Sequence, residues 1–271
     1  MPDLARLSIN HASTRRWNLP DAIAGYARNG VRGIGLWPAS VQAYGVANTR
    51  RALDAHGLVA TSYCCGSMFV ATGKVERVKE RERNRALVEQ AAELGAKSLV
   101  CVSGGLPAGE KGLQAARQRA ADELAELLPV ARSGGVTIGI EPIHPMKAAD
   151  VSSLNTLSEA NALCDALGEG LGIIIDVYHV WWDPNLGHEI QRARGRIVGF
   201  HLCDWLPTLE ENMSGRGMMG DGVIDIARIR AAANRAGFDG FYEVELVSTV
   251  WEQRDPVEVI NICVDRYRTH C

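Results

Sequence analysis

Leu171-Gly172-Ile173-Ile174-Ile175-Asp176 is an apolar, mostly β-branched run that ends on a carboxylate, and three other runs follow the same plan. They are Val136-Thr137-Ile138-Gly139-Ile140-Glu141, Ile197-Val198-Gly199-Phe200-His201 and Gly240-Phe241-Tyr242-Glu243-Val244-Glu245. Near-continuous β-branched runs of this length fit strands of a parallel sheet whose outer face is covered by helices. Each ends on a residue able to bind a hard divalent cation. Side chains at the carboxyl ends of several parallel strands meet at one point, which is where α/β barrels build their active sites.

Working outward, the same alternation covers the rest of the chain. Leu7-Ser8-Ile9-Asn10 reads as a first strand, a helix follows Leu19-Pro20-Asp21, and Gly33-Ile34-Gly35-Leu36-Trp37 reads as a second strand. A helical segment with Val41, Val46 and Leu53 leads to Leu58-Val59-Ala60-Thr61-Ser62-Tyr63, and Ser98-Leu99-Val100-Cys101-Val102 supplies a fourth strand. Glycines at 57, 95, 134–135, 170 and 237 fall where helices would stop. Helix, glycine, apolar strand and polar loop in repetition is the signature of βα units. Eight such units predict an α/β fold, a single closed (β/α)8 TIM barrel over residues 1–271. A doubly wound open sheet would need fewer strands or a second domain, and no linker or composition break marks one.

Composition agrees with one soluble barrel. The 271 residues, 46% hydrophobic and 23% charged, match a fold that typically needs roughly 250 residues. A net charge of −3 offers no basic face for nucleic acid. The first residues, Met1-Pro2-Asp3-Leu4-Ala5-Arg6, contain no apolar signal core, and no run approaches the roughly 18 apolar residues of a membrane span. A cytoplasmic protein without membrane partners is expected. Seven cysteines, at 64, 65, 101, 164, 203, 263 and 271, are an odd number without a CxxC pair and read as reduced, mostly buried thiols. Cys203 would at most wall a pocket. The charge-dense stretch Lys74 to Arg85 reads as the solvated face of a long helix, and Ser103-Gly104-Gly105-Leu106-Pro107 as a tight turn.

Glu141, Asp176, His201 and Glu245 together offer three carboxylates and one imidazole. That set favours Mn²⁺, with Mg²⁺, Co²⁺ or Zn²⁺ as alternatives, over a structural zinc built on thiolates. Glu243 and Glu245 share a strand face and compete for the last place. Glu245, nearer the carboxyl end, is the expected ligand, and Glu243 the partner of an inner polar group. His179, three residues past Asp176, either caps its turn or binds a substrate hydroxyl and moves a proton. Asp204 either orients a ligand or substrate or caps its own loop. His144 follows Glu141 in a proline-rich loop at the expected mouth. Arg216 opens a glycine-rich stretch where a guanidinium could bind substrate oxygens in pairs. Trp37, Trp181, Trp182 and Trp205 follow strand ends, as pocket walls or loop packing.

With these residues in place, the chain resembles the sugar isomerase and epimerase superfamily built on the xylose isomerase-like barrel. The stretches that carry the likeness are Ile140-Glu141-Pro142, Asp176-Val177-Tyr178-His179, Phe200-His201-Leu202-Cys203-Asp204, Gly220-Asp221-Gly222-Val223-Ile224-Asp225, and Gly237-Phe238-Asp239-Gly240 leading to Val244-Glu245. The resemblance implies one divalent metal held by Glu141, Asp176, His201 and Glu245. It also implies proton transfer by Glu141 and Glu245, and substrate contacts from His179 and Arg216. The expected reaction is α-proton abstraction from a sugar or keto-polyol through a metal-stabilised enediolate.

Lyases and dehydratases acting on keto sugars, keto-inositols or 3-keto glycosides begin with the same step and are the alternative. A non-catalytic sugar-binding barrel is a third reading. An apurinic-site endonuclease shares the barrel, but no histidine lies between His56 and His144 to complete a trinuclear zinc site. Beyond Arg216, the segments Asp221-Gly222 and Val247-Ser248-Thr249 bring little positive charge, which favours an unphosphorylated carbohydrate. Oligomeric state does not follow from the sequence, although symmetric enzyme barrels commonly form homo-oligomers.

Overall fold

The computed structural model describes residues 4–67, 69–207 and 215–271, with the side chains of 65–67 outside that description. The strands are β1 (Leu7–Asn10), β2 (Gly33–Leu36), β3 (Val59–Ser67), β4 (Leu99–Val102), β5 (Ile138–Ile140), β6 (Leu171–Asp176), β7 (Ile197–Leu202), β8 (Asp204–Trp205), β9 (Arg216–Gly217) and β10 (Tyr242–Val244). Eight of them close a parallel barrel in the order β1-β10-β7-β6-β5-β4-β3-β2, while β8 and β9 form a small antiparallel ribbon. The fold is the expected (β/α)8 barrel, with helices such as Lys74–Leu94 and Gln114–Ser133 on the outside.

Alternation along each strand sorts the side chains into two layers. Ile173 and Ile175 of β6 join the large outer cluster under the helices, where Phe200 packs edge-on against Tyr242 at 5.0 Å between ring centroids. Ile174 turns inward with Cys64 and Val100. It fits there because its neighbours are Gly139 and Gly199, where an added Cβ would stand 2.5 and 2.6 Å from its Cδ1 atom. Helices end where expected at Gly57 and Gly95, both left-handed with φ of 65°.

Two strands are shorter than the sequence runs suggest. Glu141 and Glu245 lie one residue beyond β5 and β10, yet each backbone N–H still donates to the adjacent strand, to Cys101 O and Leu202 O at 2.9 Å. The ladder therefore fixes both residues although neither counts as strand. Cys64, Cys101, Cys164, Cys203 and Cys263 are buried free thiols, Cys271 is half-buried, and the side chain of Cys65 lies outside the described residues. The early turns of the long helix are solvated as expected, with even Val75 and Val78 exposed. Helix Lys74–Leu94 is buried along its later turns, at Asn84, Leu87, Val88, Ala91 and Leu94. Among the described residues no helix is long and apolar enough to cross a membrane.

Candidate metal centre

Asp176 and His201 are paired neighbours across β6 and β7, and His201 is in turn opposite Glu243 of β10. This register sets Asp176 and His201 side by side at the barrel mouth, level with the inner Glu243. One ligand atom from each of Glu141, Asp176, His201 and Glu245 lies within 4.8 Å of the others, and all four residues are buried. Imidazole Nδ1 of His201 stands 3.1 Å from Glu141 Oε1 and 3.5 Å from Glu245 Oε2. Its Nε2 is buried without a hydrogen bond and lies 3.7 Å from Glu243 Oε1.

Glu243 and Glu245 differ as their depths require. Glu243 faces the barrel interior, where its carboxylate accepts from Asn10 Nδ2 at 2.7 Å, Thr61 Oγ1 at 2.6 Å and Ser62 Oγ at 2.8 Å. Gly35 makes room for it, since a Cβ there would sit 2.1 Å from Glu243 Oε1. Glu245, one pleat higher, turns toward Asp176 and Glu141. Cys64 comes within ligand distance of Glu243 and His201. Burial pushes its thiol far above the ordinary range, and the charges of Glu243 and Glu245 push the same way, so it is a neutral neighbour.

Arg216, carried by β9, is fully buried over the cluster. Its Nη1 donates to Asp176 Oδ2 at 2.8 Å and to Glu245 Oε2 at 2.9 Å. Nη2 stands 3.2 Å from His179 Nε2. A guanidinium can only donate, so the lone pair of His179 is at Nε2 and its proton at Nδ1, which has no partner. Burial holds the His179 pKa down, at about 4, and keeps the ring neutral. Burial also raises Glu141, assisted by the negative charges of Glu245 and Asp176 against the opposing pull of His201. Glu245 is subject to the same burial, but Arg216 and His201 more than offset it and hold the carboxyl below the usual range. His201 is raised despite burial, by Glu245 and Glu141.

The residues fit a divalent ion on two grounds. Three carboxylates and an imidazole converge in one buried space, an oxygen-rich donor set that suits a hard divalent ion. A histidine that ligates through Nδ1 usually turns its other nitrogen to a carboxylate, a carbonyl or water, and the orphaned Nε2 of His201 faces Glu243 at 3.7 Å.

The other predicted residues divide. Trp37, His179, Arg216, Glu141 and Glu245 line a cavity of about 180 Å³ above the cluster, together with the apolar Val100, Val102 and Ile143. Asp204 is placed elsewhere. Its carboxylate accepts from the backbone N–H groups of Trp205, Gly220, Gly222 and Ile224 at 2.8 to 3.0 Å, so it caps its own loop. His144 lies tilted over Trp205 at 4.7 Å and edge-on to Trp182 at 5.7 Å between ring centroids, outside the cavity lining. Cys203 sits behind Arg216 Nη1 at 3.7 Å. Arg15 lines the cavity and was not foreseen. Nor was Asn10, whose Oδ1 accepts from Trp37 Nε1 at 2.6 Å while its amide holds Glu243. A polar residue at an inward position of an apolar strand was the available signal for Asn10.

Comparison with known proteins agrees with the barrel fold. The family model described as the xylose isomerase-like TIM barrel matches residues 23–260. The crystal structure of protein SMc04130 from Sinorhizobium meliloti 1021 is 44% identical, covers 99% of each chain and superposes with a TM-score of 0.97. The IOLI protein, solved with a binding zinc atom, is 20% identical, covers 98% of this chain and 99% of its own, and superposes at 0.83, a likeness of fold. L-ribulose-5-phosphate 3-epimerase UlaE from Shigella flexneri serotype 5b (strain 8401) is 28% identical over 150 residues, 54% of this chain and 49% of that protein. The chain thus spans about half the length of the curated relatives it matches.

Proposed function

The chain belongs to the xylose isomerase-like TIM barrel family, and on that premise we propose that it is a divalent-metal-dependent isomerase or epimerase of a sugar or keto-polyol. One observation carries the reading: three carboxylates and an imidazole converge beneath a small cavity, and two of the carboxylates, Glu141 and Glu245, line that cavity as well. The similarity to a ribulose-phosphate 3-epimerase over half the chain supports the same class. Mn²⁺ suits the oxygen-rich set best, ahead of Mg²⁺, Co²⁺ or Zn²⁺.

When bound, the ion supplies Lewis-acid polarisation of a substrate carbonyl and its neighbouring hydroxyl. The protein's own residues divide the remaining work. Glu245, kept ionised by Arg216 and His201, accepts the proton from the carbon next to the carbonyl. Glu141, the other carboxyl lining the cavity, returns a proton to the enediolate from the other side. His179 donates from Nδ1–H to a substrate hydroxyl, and its pairing with Arg216 fixes the ring for that task. Val100, Val102 and Ile143 exclude water and so strengthen each of these polar contacts. Arg216 is occupied by Asp176 and Glu245, which supports an unphosphorylated substrate.

Proton NMR in deuterium oxide tests the reading, using Mn²⁺-loaded protein, a panel of ketoses, keto-inositols and 3-keto glycosides, and Glu245→Gln as control. The expected result is deuterium at an α-carbon together with an epimer or an aldose–ketose product. Exchange accompanied by loss of water or an aglycone would make the protein a lyase or dehydratase instead. No metal-dependent exchange across the panel would remove the catalytic reading and leave a sugar-binding barrel.

A further inference from the structure

The cavity over the metal ligands is small. Its volume of about 180 Å³ equals about six waters at about 30 Å³ each, enough for one sugar ring. Beside it lies a groove of about 640 Å³, and Arg15 and Trp37 line both spaces. The groove runs between the loop after β1 and helix Pro38–Tyr44 after β2. It therefore opens on the same end of the barrel as the ligands.

Trp17, Trp37 and Tyr44 form its aromatic walls, and two of them are held in place. The Trp17 ring lies against Gly25, where a Cβ would come within 2.1 Å of a ring carbon. Trp37 is fixed by its hydrogen bond to Asn10. His11 ties the two sides together, with its ring nitrogens 3.1 Å from Ser40 Oγ and 3.0 Å from Trp17 O. The groove has little free charge. Arg15 is paired with Glu252 at 3.0 Å, and burial holds the His11 pKa below its ordinary value.

From these observations we propose that the groove binds a second, uncharged sugar ring attached to the ring that reacts. The substrate class is then a glycosidically substituted keto sugar, rather than a free or phosphorylated monosaccharide. This deepens the isomerase or epimerase reading and rests on it. Indole and phenol faces pack against the C–H face of a sugar ring, and pre-positioned aromatic walls lose little entropy on binding. The groove falls within the roughly 300–1,000 Å³ of ordinary ligand pockets. With Arg15 held by Glu252 and Arg216 by Asp176 and Glu245, both cationic side chains that reach these spaces are already engaged. That disfavours a phosphate and suits a neutral occupant.

The test is saturation-transfer NMR and calorimetry with glucose, glucose 6-phosphate and glucose disaccharides of several linkages, on the wild type and on Ala43→Trp. Ala43 is an exposed groove residue outside the catalytic cavity. The expected result is a disaccharide that binds at least tenfold tighter than glucose, with saturation on both rings, and that loses this advantage in Ala43→Trp. Equal or tighter binding of glucose or glucose 6-phosphate overturns the proposal, as does saturation confined to one ring. If Ala43→Trp dissociates an oligomer without changing sugar selectivity, the groove belongs to a second copy and the proposal fails. α-Proton exchange on monosaccharides without a disaccharide preference sinks this inference alone. Absence of both sugar binding and exchange sinks the enzymatic reading with it.

Discussion

Arg216 Nη1 donates to Asp176 Oδ2 at 2.8 Å in a fully buried pair, and the same nitrogen reaches Glu245 at 2.9 Å. One guanidinium thus pairs with two of the carboxylates proposed to hold the ion. Truncating one partner of a buried ion pair costs about 3–5 kcal/mol because the other charge is left uncompensated. Arg216→Met is therefore expected to lower the melting temperature of metal-free protein. Added Mn²⁺ should recover more stability in the variant than it adds to the wild type, since it would replace the missing positive charge. Differential scanning fluorimetry with chelator and with Mn²⁺ reads both. An equal or smaller Mn²⁺ increment in the variant would mean that the carboxylates do not hold the ion.

A second prediction concerns the inner carboxylate. Glu243 Oε1 faces the unpartnered Nε2 of His201 at 3.7 Å, while Asn10, Thr61 and Ser62 hold its oxygens. If it orients the imidazole, Glu243→Gln should weaken Mn²⁺ binding by about 10–100-fold, the usual cost of losing such a partner. Titration of Mn²⁺ followed by electron paramagnetic resonance gives the affinity directly. Unchanged affinity would leave Glu243 a structural carboxylate buried among hydroxyls.

Much of this site was legible because buried strands and their terminal residues are written contiguously in the chain. Asp176 and His201 end apolar runs, and the period of two along Tyr242-Glu243-Val244-Glu245 puts both glutamates on one face at successive depths. Long-range partners are not encoded locally. Arg216 looked like a free substrate-binding cation, and only the closed barrel brings Asp176 and Glu245 to it across 40 and 29 residues of sequence. Asp204 followed a strand end as a ligand would. Its saturation by four backbone N–H groups depends on how the chain from Gly220 to Ile224 folds back. The groove at Trp17 and Trp37 joins two loops that no local pattern connects.

Asp204 supplies the third prediction. Its carboxylate is the common acceptor for Trp205, Gly220, Gly222 and Ile224. In Asp204→Ala these donors lose a charged acceptor. Partial rehydration of the loop limits the loss to about 2–4 kcal/mol, given about 1–3 kcal/mol for each donor left buried. Urea unfolding should show that loss while the Mn²⁺ affinity stays at the wild-type value. A fall in affinity comparable to that of Glu243→Gln would return Asp204 to the site.

The groove gives a pH prediction through His11. Burial is the main cause of its pKa lying below 6.5, and Arg15 adds to the effect against the raising pull of the Trp17 carbonyl. With a folded pKa below the unfolded one, the folded state binds fewer protons. His11 therefore contributes stability that is complete above pH 6.5 and is lost as pH falls from there through the folded value. His144 shifts in the same direction, also by burial, so the wild type alone does not isolate His11. His11→Gln does, because an amide can still donate to Trp17 O and accept from Ser40 Oγ but carries no titrating proton. The urea midpoint of the wild type should fall more between about pH 8 and about pH 5 than that of His11→Gln. Parallel losses in the two proteins would mean that His11 takes up its proton without penalty. The groove would then carry a positive charge in mild acid, and the argument for a neutral occupant would lose one of its supports.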